Sequence, residues 1–374
     1  MTNARTFSVR NLLTLNLLLI FIPITILARL LNWGDVIVFA GSALAIVPLS
    51  SLIGEATETL AVKLGQRLGG LINATLGNAA ELIITIFALR LGLTDLVKAS
   101  IVGSILGNLL LVMGMSFVVG GLKNGLQIFE RRTASMNSTM VILAFLVLAI
   151  PSGFDSALLS SGDASSRELF FSEGIAIIMI TLYALSMLYA FRDPQARLLG
   201  EPEEVEATEG SEPVNLRGAI IMLVLATIGI VLMSESLVGT VEPVAHSIGL
   251  SEFFVGIIIV PLIGNVAEHV VALQVAYHNR MDLSLGISLG SSLQIALFVA
   301  PVLVFVSLLF PQKLLLVFNP YELLALATAS IVAALVAQDG ESNWMEGVQL
   351  LALYFVLALA FFLLPLAMNA PTAH

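Results

Sequence analysis

Gly264-Asn265-Val266-Ala267-Glu268 repeats, 187 residues later, the stretch Gly77-Asn78-Ala79-Ala80-Glu81. Both stretches sit in long apolar runs that read as membrane spans, where a carboxylate is costly unless it has a task. On a helix, Asn and Glu three residues apart share a face, so each segment offers an amide oxygen beside a carboxylate. The same offset places Asp95-Leu96 on Asp282-Leu283, Gly103-Ser104 on Gly290-Ser291, Leu106 on Leu293 and Leu110 on Leu297. That is ten identities over the 34 positions from 77 to 110. Two Leu-rich helices match by chance at several positions, but not selectively at Asn, Glu, Asp and Ser. The chain therefore carries an internal duplication with its polar residues kept in register.

Composition sets the class. Of 374 residues, 58% are hydrophobic and only 11% charged, where soluble domains carry about a quarter. The chain reads as an all-α polytopic membrane protein. It has no cysteine, hence no disulfide framework, no thiolate nucleophile and no sulfur-based metal site. The net charge of −10 is concentrated in Glu201, Glu203, Glu204, Glu206, Glu209 and Glu212. No basic patch suggests a nucleic-acid partner; the partner implied by composition is the lipid bilayer.

A window of about 20 residues predicts eleven spans: 11–28, 34–54, 71–91, 95–120, 133–151, 170–191, 217–240, 253–277, 283–310, 320–337 and 344–366. The first is too long for a signal-peptide core and reads as a retained span. With the N-terminus inside, loop Lys and Arg divide eleven to five in favour of the cytoplasm. The motif spans are the third and eighth, an odd step, so they are expected to run antiparallel as an inverted-topology repeat. The expected organisation is an extra N-terminal helix (1–31), a first five-helix repeat (32–192), an acidic cytosolic linker (193–216) and a second five-helix repeat (217–374). A second polar linker is expected at 152–168, on the outside.

Glu81 and Glu268 are the candidate cation and proton site, with Asn78 and Asn265 as the amide oxygens beside them. Adding the Ser104 and Ser291 hydroxyls and freed backbone carbonyls gives an all-oxygen, doubly negative set. Hard divalent cations prefer it, and Ca²⁺ tolerates its irregular geometry better than Mg²⁺; Zn²⁺ or Cu⁺ fits poorly. Glycines and a proline beside the motifs (Gly69, Gly70, Gly77, Pro261, Gly264) suit close helix approach or unwinding. Gln294 replaces Gly107 and Ile295 replaces Asn108, so Gln294 and Asn108 are either site amides or interhelical bonds. His269 points about 100° away from Glu268 on a helix, and is expected to bond to a neighbour. Glu55 and Glu58, with Ser234-Glu235 and Glu242, are expected near the inner ends of spans two and seven, Glu58 and Glu235 as possible accessory groups. Asp95 and Asp282 read as helix N-caps.

Gly-Asn-x-x-Glu with Gly-Ser-Ile-Leu-Gly-Asn in the first half, and Gly-Asn-x-Ala-Glu-His with Gly-Ser-Ser-Leu-Gln-Ile-Ala in the second, resemble the calcium/proton exchangers of the cation/calcium exchanger superfamily. The sodium/calcium sister branch carries a Gly-Thr-Ser-x-Pro-Glu type of motif that is absent here. The resemblance implies a secondary transporter that exchanges Ca²⁺ for H⁺, with no cofactor beyond the transported ion. It carries the site onto Glu81, Glu268, Asn78, Asn265, Ser104, Ser291 and Gln294. It also puts the acidic segment on the cytosolic face of a cell (plasma or inner) membrane. An exchanger for another divalent such as Mn²⁺, or a Na⁺-coupled one, is the alternative. An intramembrane hydrolase is excluded, because no nucleophile dyad, Gly-x-Gly-Asp or His-Glu-x-x-His occurs. A channel with a carboxylate ring would show no obligatory countertransport. Charge balance implies two protons per Ca²⁺, or three if Glu58 or Glu235 joins.

Overall fold

The computed structural model describes residues 16–64, 72, 75–159, 164–192 and 216–364. Among these, eight helices are long and apolar enough to cross a membrane, and shorter apolar helices run Leu17–Leu30 and Pro320–Val336. The chain is thus a multi-pass, mostly helical membrane protein, with one short antiparallel pair, Gln127–Ile128 on Glu341–Ser342. Gly69, Gly70 and all of the acidic linker except Leu216 lie outside the described residues. The expected polar loop at 152–168 is mostly helix, since one helix continues to Leu159 and the next begins at Ala164.

The described residues fall into two compact units, and each draws on both halves of the sequence. The first takes residues within 1–87, 211–252 and 262–267; the second takes those within 88–210, 253–261 and 268–374.

In the first unit, α1 (Phe21–Leu30) turns back through Asn32 and Gly34, both with positive φ, into α2 (Asp35–Leu64). α3 (Ala79–Arg90) begins in this unit and ends in the second. α8 (Leu216–Gly239) packs along α2, with Gly229 against the Leu49 side chain. Arg29, at the end of α1, pairs with Glu235 at 3.5 Å and donates to Ser236 Oγ at 3.3 Å. The short α9 (Val241–Ile248) follows.

The second unit is built on α4 (Thr94–Leu106), which continues through a π-helical stretch, Gly107–Val112, into α5 (Met113–Asn124). Every residue from Ala99 to Gly114 is buried. α6 (Arg131–Leu159) and α7 (Ala164–Arg192) pack against each other. A turn at Glu252–Phe254 and a π stretch, Val255–Ile259, lead into α10 (Val260–Tyr277). α11 (Met281–Gln294) then passes through a third π stretch, Ile295–Val299, into α12 (Ala300–Ser307). α13 (Pro320–Val336) and α14 (Trp344–Leu363) complete the unit; α14 lies on α5, where Gly114 and Gly347 let the backbones approach. The loop into α13 is extended, and its alternate N–H groups are satisfied by hydroxyls from three helices. Leu314 donates to Ser307 at 2.9 Å, Leu316 to Ser172 at 3.2 Å and Phe318 to Ser152 at 2.8 Å.

The duplication is written into local backbone structure. In the turn after α3, Gly92 N–H bonds Leu89 O and Leu93 N–H bonds Ala88 O, at 3.0 and 2.9 Å. After α10, Asn279 N–H bonds Ala276 O and Arg280 N–H bonds Val275 O at the same distances, 187 residues on. Gly92 and Asn279 are both left-handed, with φ of 80° and 61°, a conformation open to Gly and tolerated by Asn. The next helices, α4 and α11, start at the same offset. Their π bonds repeat as well, Met113 N–H to Asn108 O matching Ala300 N–H to Ile295 O.

Two π stretches each end two residues before a proline, Pro261 and Pro301. A helical proline has no N–H to give and crowds the carbonyl four residues earlier; widening the preceding turn relieves that crowding. For Pro261 the orphaned carbonyl is Ile257 O, and it points at Gly103. A Cβ built on Gly103 would overlap that oxygen and lie 2.6 Å from the Ile257 carbonyl carbon and 2.7 Å from Pro261 Cγ. Gly103 therefore makes room for a carbonyl that Pro261 has freed. Gly103→Ala should cost about 1–3 kcal/mol through overpacking, read as a lower thermal midpoint. Gly107→Ala, four residues on with nothing within 4 Å of its Cβ position, should leave the midpoint unchanged or raise it. Equal effects from the two substitutions would contradict this account.

Candidate functional site

The first motif lies at a break in the backbone. Gly77 and Asn78 form a turn, α3 starts at Ala79, and the Asn78 carbonyl accepts the first helical bond from Leu82 N–H at 2.9 Å. Asn78 is thus the residue before the helix and Glu81 is in its first turn. Both are buried, at 1% and 2% exposure. Thr85, one turn on, returns its hydroxyl to Glu81 O at 2.8 Å. The second motif is different in form. Asn265 and Glu268 lie within the unbroken α10, and the irregular backbone comes earlier, in the π stretch before Pro261. Unwinding accompanies Gly77, whereas Gly264 provides close approach.

In the first unit the two copies of the motif touch. A Cβ built on Gly264 would lie 3.8 Å from Glu81 Cβ, 3.9 Å from its Cα and 4.0 Å from Ile84 Cδ1. A methyl group would just fit there, and any longer side chain would press on Glu81. Asn265 follows Gly264 and is itself 3% exposed. The glycine of one copy therefore seats the carboxylate-bearing residue of the other.

The second unit holds Ser104, Asn108, Glu268, His269, Ser291 and Gln294, all buried except the half-buried Glu268. The Ser291 hydroxyl faces the Glu268 carboxyl. Glu268 Oε2 and Ser291 Oγ are both buried, and neither completes a hydrogen bond of ordinary geometry among the described residues. Asn108 and Gln294 occupy corresponding places, inside and just before the π stretches after α4 and α11, and these segments pack together. Asn108 Nδ2 is buried without a described partner. His269 is 7% exposed, and its Nε2 also has no described partner. α11 also carries a buried serine face that the duplicated motif does not reveal. Ser288 donates to Ser284 O and Ser292 to Ser288 O, while Ser284 Oγ has no described partner. The i, i+4, i+8 spacing was the available signal.

Two expectations need correction. Glu58 and Glu235 do not share one end of their helices. Gly229 meets Leu49, and from there α8 runs toward Arg29 and the start of α2, carrying Glu235 with it. Glu58 lies nine residues past Leu49 in the opposite direction. Glu235 is a half-exposed partner of Arg29 rather than a companion of Glu58, because the two helices pack antiparallel. Asp95 and Asp282 are not N-caps either. The residues before α4 and α11 are Leu93 and Arg280, without side-chain caps. Each Asp is instead in the first turn, where a negative charge suits the helix dipole. Asp95 pairs with Lys98 at 2.8 Å, and Asp282 accepts Glu130 N–H at 2.6 Å.

Chemically the motif groups are carboxylates, amides and hydroxyls, a hard oxygen set suited to a cation of the calcium class. Comparison with known proteins agrees with that chemistry. The family described as "Sodium/calcium exchanger protein" matches residues 34–192 and 218–363. The Ca(2+)/H(+) antiporter ChaA of Bacillus subtilis (strain 168) is 45% identical over 346 residues, covering 92% of this chain and 97% of that one. A Ca(2+)/H(+) antiporter of Aphanothece halophytica is 42% identical over 359 residues, covering 93% and 96%. The solved structure of native YfkE superposes with a TM-score of 0.81 at 42% identity, covering 94% of this chain and all of that one. With both motif copies inside the matched segments, this chain belongs to the sodium/calcium exchanger protein family.

Proposed function

We propose that this chain is a Ca²⁺/H⁺ antiporter in which Glu81 and Glu268 together hold either one Ca²⁺ or protons, in alternating access. The observation that carries the reading is the duplicated Asn-x-x-Glu motif, its Glu buried in one copy and half-buried in the other, with Gly264 of one copy against Glu81 of the other. The relatives' function, Ca²⁺/H⁺ antiport, supports it. Asn78, Asn265, Ser104, Ser291 and Gln294 supply the neutral oxygens, with Asn108, Gly77, Gly264 and His269 as neighbours. The reading includes eleven spans arranged as one helix plus two inverted five-helix repeats. It also places the N-terminus and the acidic linker in the cytoplasm of a plasma or inner membrane.

The coupling follows from charge. Two ionised carboxylates neutralise one Ca²⁺, and two protons neutralise the same pair. Either loading presents a nearly neutral site to the hydrocarbon; the bare or half-loaded pair leaves charge in a low-dielectric environment. The unneutralised forms are the ones penalised during the alternation, and that penalty ties Ca²⁺ movement to proton movement. If they share one ion in this way, the carboxyls titrate as a pair rather than one by one.

In proteoliposomes without Na⁺, an outward-directed or inward-directed pH gradient should drive Ca²⁺ in the opposite direction. Collapsing the gradient should stop accumulation, and a Na⁺ gradient should not replace it. Glu81→Gln and Glu268→Gln keep side-chain volume but delete a charge, and each should reduce exchange to the level of empty vesicles while the protein still inserts. Near-normal exchange by either variant would remove that residue from the site. Because protons compete for the same oxygens, apparent Ca²⁺ affinity should fall as pH is lowered; a pH-independent KM for Ca²⁺ would count against a shared site.

A further inference from the structure

Outside the motif region, the first unit gathers a second set of metal-ligating side chains. Glu242 and His246 lie one turn apart on α9 and are both exposed, and Glu252 opens the helical run that continues to Tyr277. α9 ends at the left-handed Gly249 (φ 73°), whose N–H reaches His246 O at 3.4 Å while Leu250 N–H reaches Ala245 O at 2.9 Å. This reversal returns the chain so that Glu252 faces the first two residues. One ligand atom from each of Glu242, His246 and Glu252 lies within 4.8 Å of the others.

From this juxtaposition we infer that Glu242, His246 and Glu252 form a peripheral site for a Zn²⁺-class transition metal ion, separate from the motif residues. The donor set decides the class. One imidazole nitrogen with two carboxylate oxygens suits Zn²⁺, Mn²⁺ or Co²⁺, whereas Ca²⁺ favours oxygen alone. Around a zinc ion at about 2.0–2.2 Å, ligand atoms sit about 3.5 Å apart, so these long side chains need to close by roughly 1 Å. Three protein ligands leave a coordination position for water. Two carboxylates brought this close repel each other, and the described Lys and Arg ion pairs engage Glu235 and Asp95 rather than Glu242. A divalent ion turns that repulsion into attraction.

Position gives the site a consequence. Glu252 is the first residue of the 26-residue helical run that carries Gly264, Asn265 and Glu268. An ion held there fastens α9 to the head of the run and opposes any movement of one against the other. The effect on exchange rests on the antiport reading; the binding itself does not.

The test uses the purified full chain carrying Glu81→Gln, so that ion binding at the motif carboxylates is separated from the site in question. Calorimetric titration with Zn²⁺ should show one saturable site in the micromolar range. Adding His246→Ala should weaken it at least about tenfold, with the elution volume and thermal midpoint unchanged. Adding His246→Cys instead should retain binding, because the thiolate is a zinc ligand and the chain has no other cysteine. In vesicles of the chain with intact motif carboxylates, micromolar Zn²⁺ should slow Ca²⁺ flux, and His246→Ala should relieve the inhibition. No saturable Zn²⁺ binding, or binding that His246→Ala leaves intact, overturns the site. Zn²⁺ binding that behaves as expected beside an otherwise unsubstituted chain that shows no pH-driven Ca²⁺ exchange in vesicles would overturn the antiport reading alone.

Discussion

A carboxylate inside a membrane-spanning helix has to be neutralised, and most of this chain's organisation follows from that requirement. Glu81 is 2% exposed, and the amides of the two motif copies, Asn78 at 1% and Asn265 at 3%, are buried and neutral. The described Lys and Arg ion pairs hold Glu235 and Asp95, and none of them engages Glu268. A fixed Arg would satisfy the charge permanently and end its usefulness for transport. Neutral amides and hydroxyls stabilise the ion without replacing it, leaving the charge to a mobile proton or cation. The acidic groups with a described Lys or Arg partner, Glu235 and Asp95, are exposed or half-exposed and sit at helix ends, where such pairs contribute little.

Close packing around these groups is obtained through backbone rather than side chains. Gly264 fits against Glu81, Gly103 against the carbonyl freed by Pro261, and Gly114 against Gly347. The π stretches belong to the same economy of space. Each shifts the helix register once, and the stretches after α4 and α11 do so beside Ser104, Asn108, Ser291 and Gln294. Such insertions are frequent at functional sites because they turn side chains without ending the helix. Their recurrence at the offset of 187 residues, with the same turn bonds ahead of them, indicates that the duplicated unit was copied as geometry and not only as composition.

Much of this was legible in the residues. Hydropathy and length located the eight helices long and apolar enough to cross a membrane, and the polar identities at one offset located the motif. The Asn-x-x-Glu spacing on its own is ambiguous, and this chain shows why. It occurs four times, at Asn78, Asn265, Asn319 and Asn343. At Asn319–Glu322 and Asn343–Glu346 it is a capping box, each side chain bonding the other residue's backbone N–H. At Asn265 it lies mid-helix, where it cannot cap anything. Asn78 precedes a helix start, so spacing alone would read it as a cap; the duplicate's mid-helix position argues for another role. What stayed hidden was tertiary. Nothing local shows that Gly103 faces Ile257 O, because that depends on where Pro261 releases a carbonyl. The misplacement of Glu235 beside Glu58 came from matching residue types without the antiparallel packing of α2 and α8. Asp95 and Asp282 resembled caps because the helix start was misplaced by a residue or two, the usual uncertainty at helix ends.

The central claim is that the same carboxylates bind Ca²⁺ and protons in turn, and the most direct measurement is proton release on Ca²⁺ binding. Titrating the purified chain with Ca²⁺ in two buffers of different ionisation enthalpy separates intrinsic heat from proton transfer. At a pH where both carboxyls start protonated, about two protons should leave per Ca²⁺ bound, since the ligands must be deprotonated to coordinate. Ca²⁺ binding with no proton release would contradict the account, as would an undiminished release in both Glu81→Gln and Glu268→Gln.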